Sequence, residues 1–461
     1  MTIQSILIAN RGEIAVRIIK AAKALGIRTV QVHSAADADM LAVKLADAAV
    51  NIGPPSATKS YLNIAAVIEA AKSTGVDAVH PGYGFLSENA DFADAVEAAG
   101  LIFIGPKGDA IRLLGDKVAA RAVAARAGVP TVPGSAGRLL SLDAAKDVAQ
   151  TTGFPIMIKA AAGGGGRGIR IAGDMAELER HFPQASAEAL AAFGDGGLYL
   201  EKVITKARHV EVQILGDGEN FIHCFERECS LQRRRQKVWE EAPSFLLPAA
   251  VREKLCDSAV ALAREVGYRG AGTVEYLYDE ISQEFYFIEV NTRIQVEHPV
   301  TEMITGIDLV QEMIKVAGGA PLSIAQSEVT VRGHAMECRI NAEDPLRNFM
   351  PAPGRIETLR VPQGEGIRFD TMLYEGYTIP PFYDSLVGKL IVWAETRDAC
   401  LDRLKTALEG LTITGIATTV PLHLALANDP DVRRGAFHTR FLETWLETEF
   451  AGAAGKTAEV A

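Results

Sequence analysis

The chain has 461 residues, 48% of them apolar and 23% charged, which suits a folded protein of about three domains and excludes disorder, collagen and a disulfide-stapled miniprotein. Its net charge of −11 argues against duplex nucleic acid as the main partner. The five cysteines form no C-x-x-C pair, no apolar run reaches the ~20 residues of a membrane helix, and Met1 to Ser5 lacks a basic leader, so a reduced, cytoplasmic protein without membrane contact is expected.

Ser5 to Ala9 reads as a short apolar strand, and Asn10 as the N-cap of a helix whose Ile14, Ile18, Ala21, Ala22 and Leu25 recur at helical spacing until Gly26. Strands follow at Thr29 to His33, Asp77 to His80 and Leu101 to Gly105, the last two preceded by helices ending in Gly75 and Gly100. This βαβ rhythm predicts a doubly wound parallel α/β sheet. A helix around Ala110 to Ala127 and the run Val129-Pro130-Thr131-Val132-Pro133-Gly134 mark the first boundary. Beyond it, Phe154 to Ala160 reads as a buried strand, and longer strands are expected at Tyr199 to Val203, His209 to Leu215, Phe221 to Glu226, Gly272 to Tyr278 and Glu284 to Val290. Asp217-Gly218 signals a hairpin turn. A third, α+β region starts after Arg332, with strands near Ala335 to Ile340, Arg355 to Val361 and Leu386 to Ala394 and a helix over Cys400 to Leu411. The small, polar stretch from Ala451 to Ala461 reads as a disordered tail.

The strand bearing Lys159 runs into Gly163-Gly164-Gly165-Gly166-Arg167-Gly168. Glycines let backbone N–H groups approach an anion closely and the lysine supplies a point charge, so phosphate binding is favoured over a linker. The first βα turn, Asn10-Arg11-Gly12-Glu13, is not the dinucleotide fingerprint G-x-G-x-x-G. In Glu289-Val290-Asn291-Thr292-Arg293 the polar residues share one face of a strand, and Glu275 stands on a neighbouring strand. Hard oxygen ligands beside a phosphate site suggest Mg²⁺, whereas H-E-x-x-H and G-x-S-x-G are absent. The basic run Arg233-Arg234-Arg235-Gln236-Lys237 is either a solvated face or a contact for a small anion. Lys117, His80, Tyr83, Glu88 and His209 are ambiguous by themselves.

These residues resemble the biotin carboxylases, the ATP-grasp components of biotin-dependent acyl-CoA carboxylases. The likeness runs from about Ser5 to Phe441 and is carried by Ile8 to Ile14, His80 to Asn89, the Gly163 to Gly168 loop, Glu289 through Glu302 and Arg339 to Pro345. It implies an N-terminal α/β domain (1–115), an ATP-grasp domain (116–331) with a mobile lid (about 131–203), a C-terminal α+β domain (332–446) and a flexible tail (447–461). It further implies an ATP-dependent ligase of fatty acid biosynthesis, using ATP, Mg²⁺ or Mn²⁺, bicarbonate and biotin. Lys117, Lys159, Gly164, Gly165 and Gly166 would hold the phosphates of ATP. Glu201, Lys202 and Ile204 would line the adenine, with His209 and Gln232 nearby. Glu275, Glu289 and Asn291 would hold the metal. Lys237, Arg293, Gln295 and the Val296 backbone would bind bicarbonate, with Glu297 as its base. That base requires burial to raise its pKa, or cations that acidify bicarbonate. Arg339 would stabilise the biotin anion, with Tyr83 and Asp384 close by.

The family usually carries His where this chain has Arg235, and a permanent cation there keeps a phosphate-contacting role. The resemblance also implies a separate biotin carboxyl carrier protein, carboxyltransferase subunits and a homodimer. In a carrier the attachment lysine follows a methionine, and none of the nine methionines here precedes a lysine. Another ATP-grasp ligase would lack bicarbonate-dependent ATP cleavage stimulated by biotin. A non-enzymatic nucleotide-binding scaffold would have lost a metal or base residue, and none is missing.

Overall fold

The computed structural model describes residues 3–161 and 169–450, so the glycine loop, Gly164 to Gly166 included, and the tail from Ala451 lie outside the described residues. The first unit is a parallel sheet of β1 (Ser5–Ile8), β2 (Arg28–His33), β3 (Ala48–Asn51), β4 (Ala78–His80) and β5 (Ile102–Phe103) in the order β3-β2-β1-β4-β5. β1 is buried at every position because helices cover both faces, which is why it is apolar from Ile6 to Ile8. Helix α1 (Gly12–Ala24) packs on it, but its N-cap is Arg11 rather than Asn10. Asn10 instead donates from Nδ2 to the carbonyls of Pro81 (2.6 Å) and Tyr83 (2.7 Å), tying the first turn to the loop after β4. The sequence reading missed β3, a half-exposed edge strand with little apolar pattern.

A small antiparallel sheet follows, ordered β7-β6-β8, from β6 (Ile156–Ala160), β7 (Arg170–Ala172) and β8 (Leu198–Lys202). Ile156, Ile158, Leu198 and Leu200 form its own core with the helices Leu142–Thr152 and Met175–Phe193. The main sheet has eight strands. It runs through β13 (Glu284–Asn291), β12 (Arg269–Asp279), β9 (Ala207–Asp217), β10 (Phe221–Arg233), β11 (Gln236–Ala242) and β14 (His334–Asn341), then the strands Leu386–Ala394 and Ile367–Thr371. It therefore passes without a break from the second region into the third. β10 extends to Arg233, well past Glu226, and turns through Arg234-Arg235 into β11.

Two expectations in the third region change. Arg355 to Val361 is not one continuous strand: Leu359–Arg360 pairs with Thr412–Ile413, and Arg355 makes a single antiparallel bridge with Thr378. Single backbone bonds, such as Ile356 N–H to the Tyr377 carbonyl at 2.8 Å, hold the rest. The chain also remains helical beyond 446: Leu446–Phe450 continues the helix Phe441–Trp445, and Phe450 stacks on Trp445. Among the described residues no helix is long and apolar enough to cross a membrane.

Candidate active site

A cavity of about 1130 Å³ opens between the two larger sheets and the small one, reaching from Lys117 and Lys159 to Tyr83, Arg339 and Asp384. Its floor is one face of the main sheet. Arg227, Glu211, Glu275 and Glu289 are register partners in turn across β10, β9, β12 and β13, so they form a single transverse row. Antiparallel partners share a face, which brings the three carboxylates side by side.

Such a row survives burial only if cations offset it. Lys237, from β11, does so by donating to Glu211, to Glu275 Oε1 at 2.9 Å and to Glu297 Oε1 at 2.7 Å. Burial opposes the lysine's charge, but these carboxylates prevail and hold its pKa well above the ordinary value. Arg227, wholly buried behind the row, uses Nε for Glu211 (2.6 Å) and its two NH groups for Gln213, Thr301, Thr273 and Gln295. Gln295 in turn donates to Glu275 Oε1 at 2.8 Å. His209 lies 3.2 Å from Glu275 Oε2. Burial disfavours the imidazolium, yet Glu275 leads the groups that push it up to about 9.

Glu275, Glu289 and Asn291 offer oxygen atoms on adjoining strands, and Asn291 Nδ2 donates to Glu275 Oε1 at 2.9 Å. Glu289 is lightly engaged, with Lys117 Nζ 4.0 Å from Oε2. Burial first, then repulsion from Glu275, raises the Glu289 pKa, as befits a carboxylate short of cations. This oxygen-rich set, with Glu289 short of cations, fits a hard divalent ion. Arg293 leaves β13 toward Glu88 Oε2 (Nε, 2.9 Å) and returns an NH2 to Asn291 Oδ1 at 2.8 Å.

Glu297 precedes the helix His298–Thr305 as its N-cap, and both its oxygens carry cations: Lys237 on Oε1 and Arg339 NH2 on Oε2 at 2.9 Å. Burial alone would raise its pKa, but Lys237, opposed by Glu211, and then Arg339 and Arg227 hold it below the usual carboxylate range. Burial therefore does not make this residue a stronger base, which leaves acidification of its substrate by cations. Arg339 also donates from Nε to Glu240 Oε1 at 2.6 Å. Burial, partly offset by Arg339, pushes Glu240 up to about 7.

Of the expected residues, Gln232, Arg235, Val296, Tyr83 and Asp384 also line the cavity. Glu201, Lys202 and Ile204 do not. Glu201 receives Lys159 and Arg121, and Lys202 Nζ donates to the Phe154 carbonyl at 2.9 Å. Sequence reasoning missed Glu211, Arg227 and Glu240, and left Glu88 ambiguous. Alternation of His209, Glu211 and Gln213 along one strand was the available signal for the first.

Three family models match the chain in succession. The biotin carboxylase N-terminal domain covers residues 2–111, the ATP-binding domain of the carbamoyl-phosphate synthase L chain 116–325, and the biotin carboxylase C-terminal domain 337–444. Biotin carboxylase 1 of Bacillus subtilis is 52% identical over 444 residues, spanning 96% of this chain and 99% of the relative. The Campylobacter jejuni biotin carboxylase, solved as a βγ-ATP complex, superposes with a TM-score of 0.90 at 47% identity, covering 96% of this chain and 99% of that one. The biotin carboxylase domain dimer of Hydrogenobacter thermophilus 2-oxoglutarate carboxylase, solved with MgADP, ADP and bicarbonate, gives 0.88 at 48%, covering 96% and 98%.

Proposed function

This chain belongs to the biotin carboxylase family, and on that premise we propose which of its residues carry each step. It is an ATP-grasp ligase: ATP phosphorylates bicarbonate to carboxyphosphate, and the CO₂ released is captured by a ureido nitrogen of biotin.

Bicarbonate sits where Lys237, Arg293, Gln295 and the Val296 backbone converge, since a small anion meeting a polyphosphate needs cations and fixed donors. Glu297 accepts its proton. Lys237 is shared among three carboxylates, so each bond it gives to bicarbonate is withdrawn from Glu297, Glu211 or Glu275. That exchange lowers the substrate's pKa while letting the Glu297 pKa rise, bringing donor and acceptor together. Lys117, Lys159 and Arg235 would face the phosphates together with Gly164, Gly165 and Gly166, and Glu201, Lys202 and Ile204 would lie toward the base, with His209 and Gln232 nearby. Glu275, Glu289 and Asn291 would hold Mg²⁺, which when bound neutralises charge on the phosphoryl oxygens. Arg339 stabilises the biotin anion, flanked by Tyr83 and Asp384.

We assign residues 1–115, 116–331 and 332–446 as the three domains, with about 131–203 as lid. We also assign a separate carrier protein and carboxyltransferase, a homodimer, and a cytoplasmic setting in which the five buried thiols stay reduced.

The double clamp on Glu297 by Lys237 and Arg339 carries the reading. Glu297→Gln should lower bicarbonate-dependent ATP cleavage by at least 10²-fold while nucleotide binding, followed by titration with a fluorescent analogue, stays within threefold. Loss of nucleotide affinity with intact turnover would overturn the assignment.

A further inference from the structure

The biotin and bicarbonate pockets meet a buried ion pair that neither pocket requires for its own charge. Tyr83 donates its hydroxyl to Glu13, the second residue of α1. Glu13 Oε1 lies 3.2 Å from Lys389 Nζ, on the strand Leu386–Ala394, and the same ammonium donates to the Val296 carbonyl at 2.7 Å. Lys389 has no exposed surface and Glu13 is 2% exposed. The chain Tyr83–Glu13–Lys389–Val296 therefore crosses all three sequence regions inside the protein.

Two of the charges near the pair are already engaged: Asp370, the register partner of Lys389, is held by Arg368 Nε at 3.0 Å, and Arg339, its partner on the other side, is held by Glu240 and Glu297. Buried Glu337 also feels the Lys389 charge, but its oxygens accept no hydrogen bond. Among the described residues Glu13 is the carboxylate within ion-pair distance of Lys389, and Val296 supplies its carbonyl. A buried ammonium deprived of its counter-charge is costly, so neither member can move without dragging the other. A second cavity of about 160 Å³, lined by Glu13 and sharing Tyr83, Asp384 and Leu386 with the first, gives the Tyr83 side room to adjust.

We propose that Glu13 and Lys389 are positioning residues that set Tyr83 in the biotin pocket and, by holding its carbonyl, the Val296 backbone in the bicarbonate pocket through one ion pair, coupling the two substrates. This rests on the placement of Tyr83 and Val296 given above. By linkage, whatever biotin does to bicarbonate affinity through the pair, bicarbonate does equally to biotin.

The test measures two rates on the whole chain: bicarbonate-dependent ATP cleavage without biotin, and its dependence on free biotin. Tyr83→Phe should raise the KM for biotin five- to tenfold, the effect of one lost hydrogen bond. Glu13→Gln should raise it by a similar factor, raise the KM for bicarbonate as well, and add nothing to the biotin effect in the Tyr83→Phe background. Lys389→Met with Glu13→Gln, a neutral pair that avoids an unpaired buried charge, should also raise the KM for bicarbonate. This double variant stands in if Glu13→Gln does not fold. A Glu13→Gln effect on the biotin KM that multiplies with Tyr83→Phe, or that leaves the KM for bicarbonate unchanged, overturns the coupling. If Tyr83→Phe leaves biotin KM unchanged, the placement of Tyr83 fails and takes the inference with it.

Discussion

Arg234 and Arg235 have φ of 49° and 65°, in the left-handed region where a side chain costs roughly 1–2 kcal/mol per residue. They are the two central residues of the β10–β11 hairpin, with Arg233 and Gln236 paired on either side. Such turns favour Asn-Gly, so two arginines spend stability where a cheaper sequence exists. Replacing Arg234-Arg235 with Asn-Gly should raise stability by about 1 kcal/mol in a denaturant titration, yet weaken ATP binding. An unchanged Kd for ATP would show that the strain serves no nucleotide contact. Arg235→His should match the parent near pH 6.5 and fall behind it toward pH 8, because an imidazole loses its charge above ~6.5 while a guanidinium does not. A pH–rate profile that superimposes on the parent's would remove Arg235 from the phosphate site. At this scale the basic run was visible in the sequence, but its tight turn was not, since nothing in Arg-Arg announces positive φ. Glu13 and Lys389 were equally silent: a buried ion pair between distant segments leaves no local pattern.

Among elements, β11 shows how charge fixes a strand within the main sheet. Its Glu241 receives Arg397 (Nε, 2.7 Å) and His334 (Nε2, 2.7 Å), joining β11 to β14 and to the helix Arg397–Gly410. Burial alone would raise the Glu241 pKa, but Arg397 and then His334 lower it to about 2. The folded value lies below the unfolded one of ~4.3, so this stabilisation is complete above ~4.3 and is lost as pH falls toward 2. Thermal unfolding from pH 6 to 2.5 should thus show a steeper acid loss for the parent than for Glu241→Gln. The variant should start lower by about 3 kcal/mol, with Arg397 left buried and unpaired. Parallel acid profiles would disprove the linkage. The sequence foretold the strands around the site because their apolar runs are long. It passed over β11, where Lys237, Glu240 and Glu241 make a buried strand look like surface, and over-read Arg355 to Val361, where only Leu359–Arg360 finds a partner strand.

For the whole molecule, motif resemblance named many of the residues that line the cavity, while the contacts that join the three regions depend on tertiary register and were not readable. Because no methionine here precedes a lysine, the purified chain should carry no covalent biotin by intact-mass measurement and should carboxylate a biotinyl carrier far faster than free biotin. A mass increment of one biotin would refute this. The main sheet has a further consequence. β11 and β14 are hydrogen-bonded neighbours from Trp239↔Cys338 to Ala242↔Ala335, so the seam between the second and third regions is a ladder rather than a hinge. Chimaeras joined near residue 332 would inherit a mismatched seam, with Glu241 facing a foreign substitute for its Arg397 and His334. A graft that carries β11 together with everything after it would keep the ladder whole, making the end of β10 the workable crossover for exchanging parts with relatives.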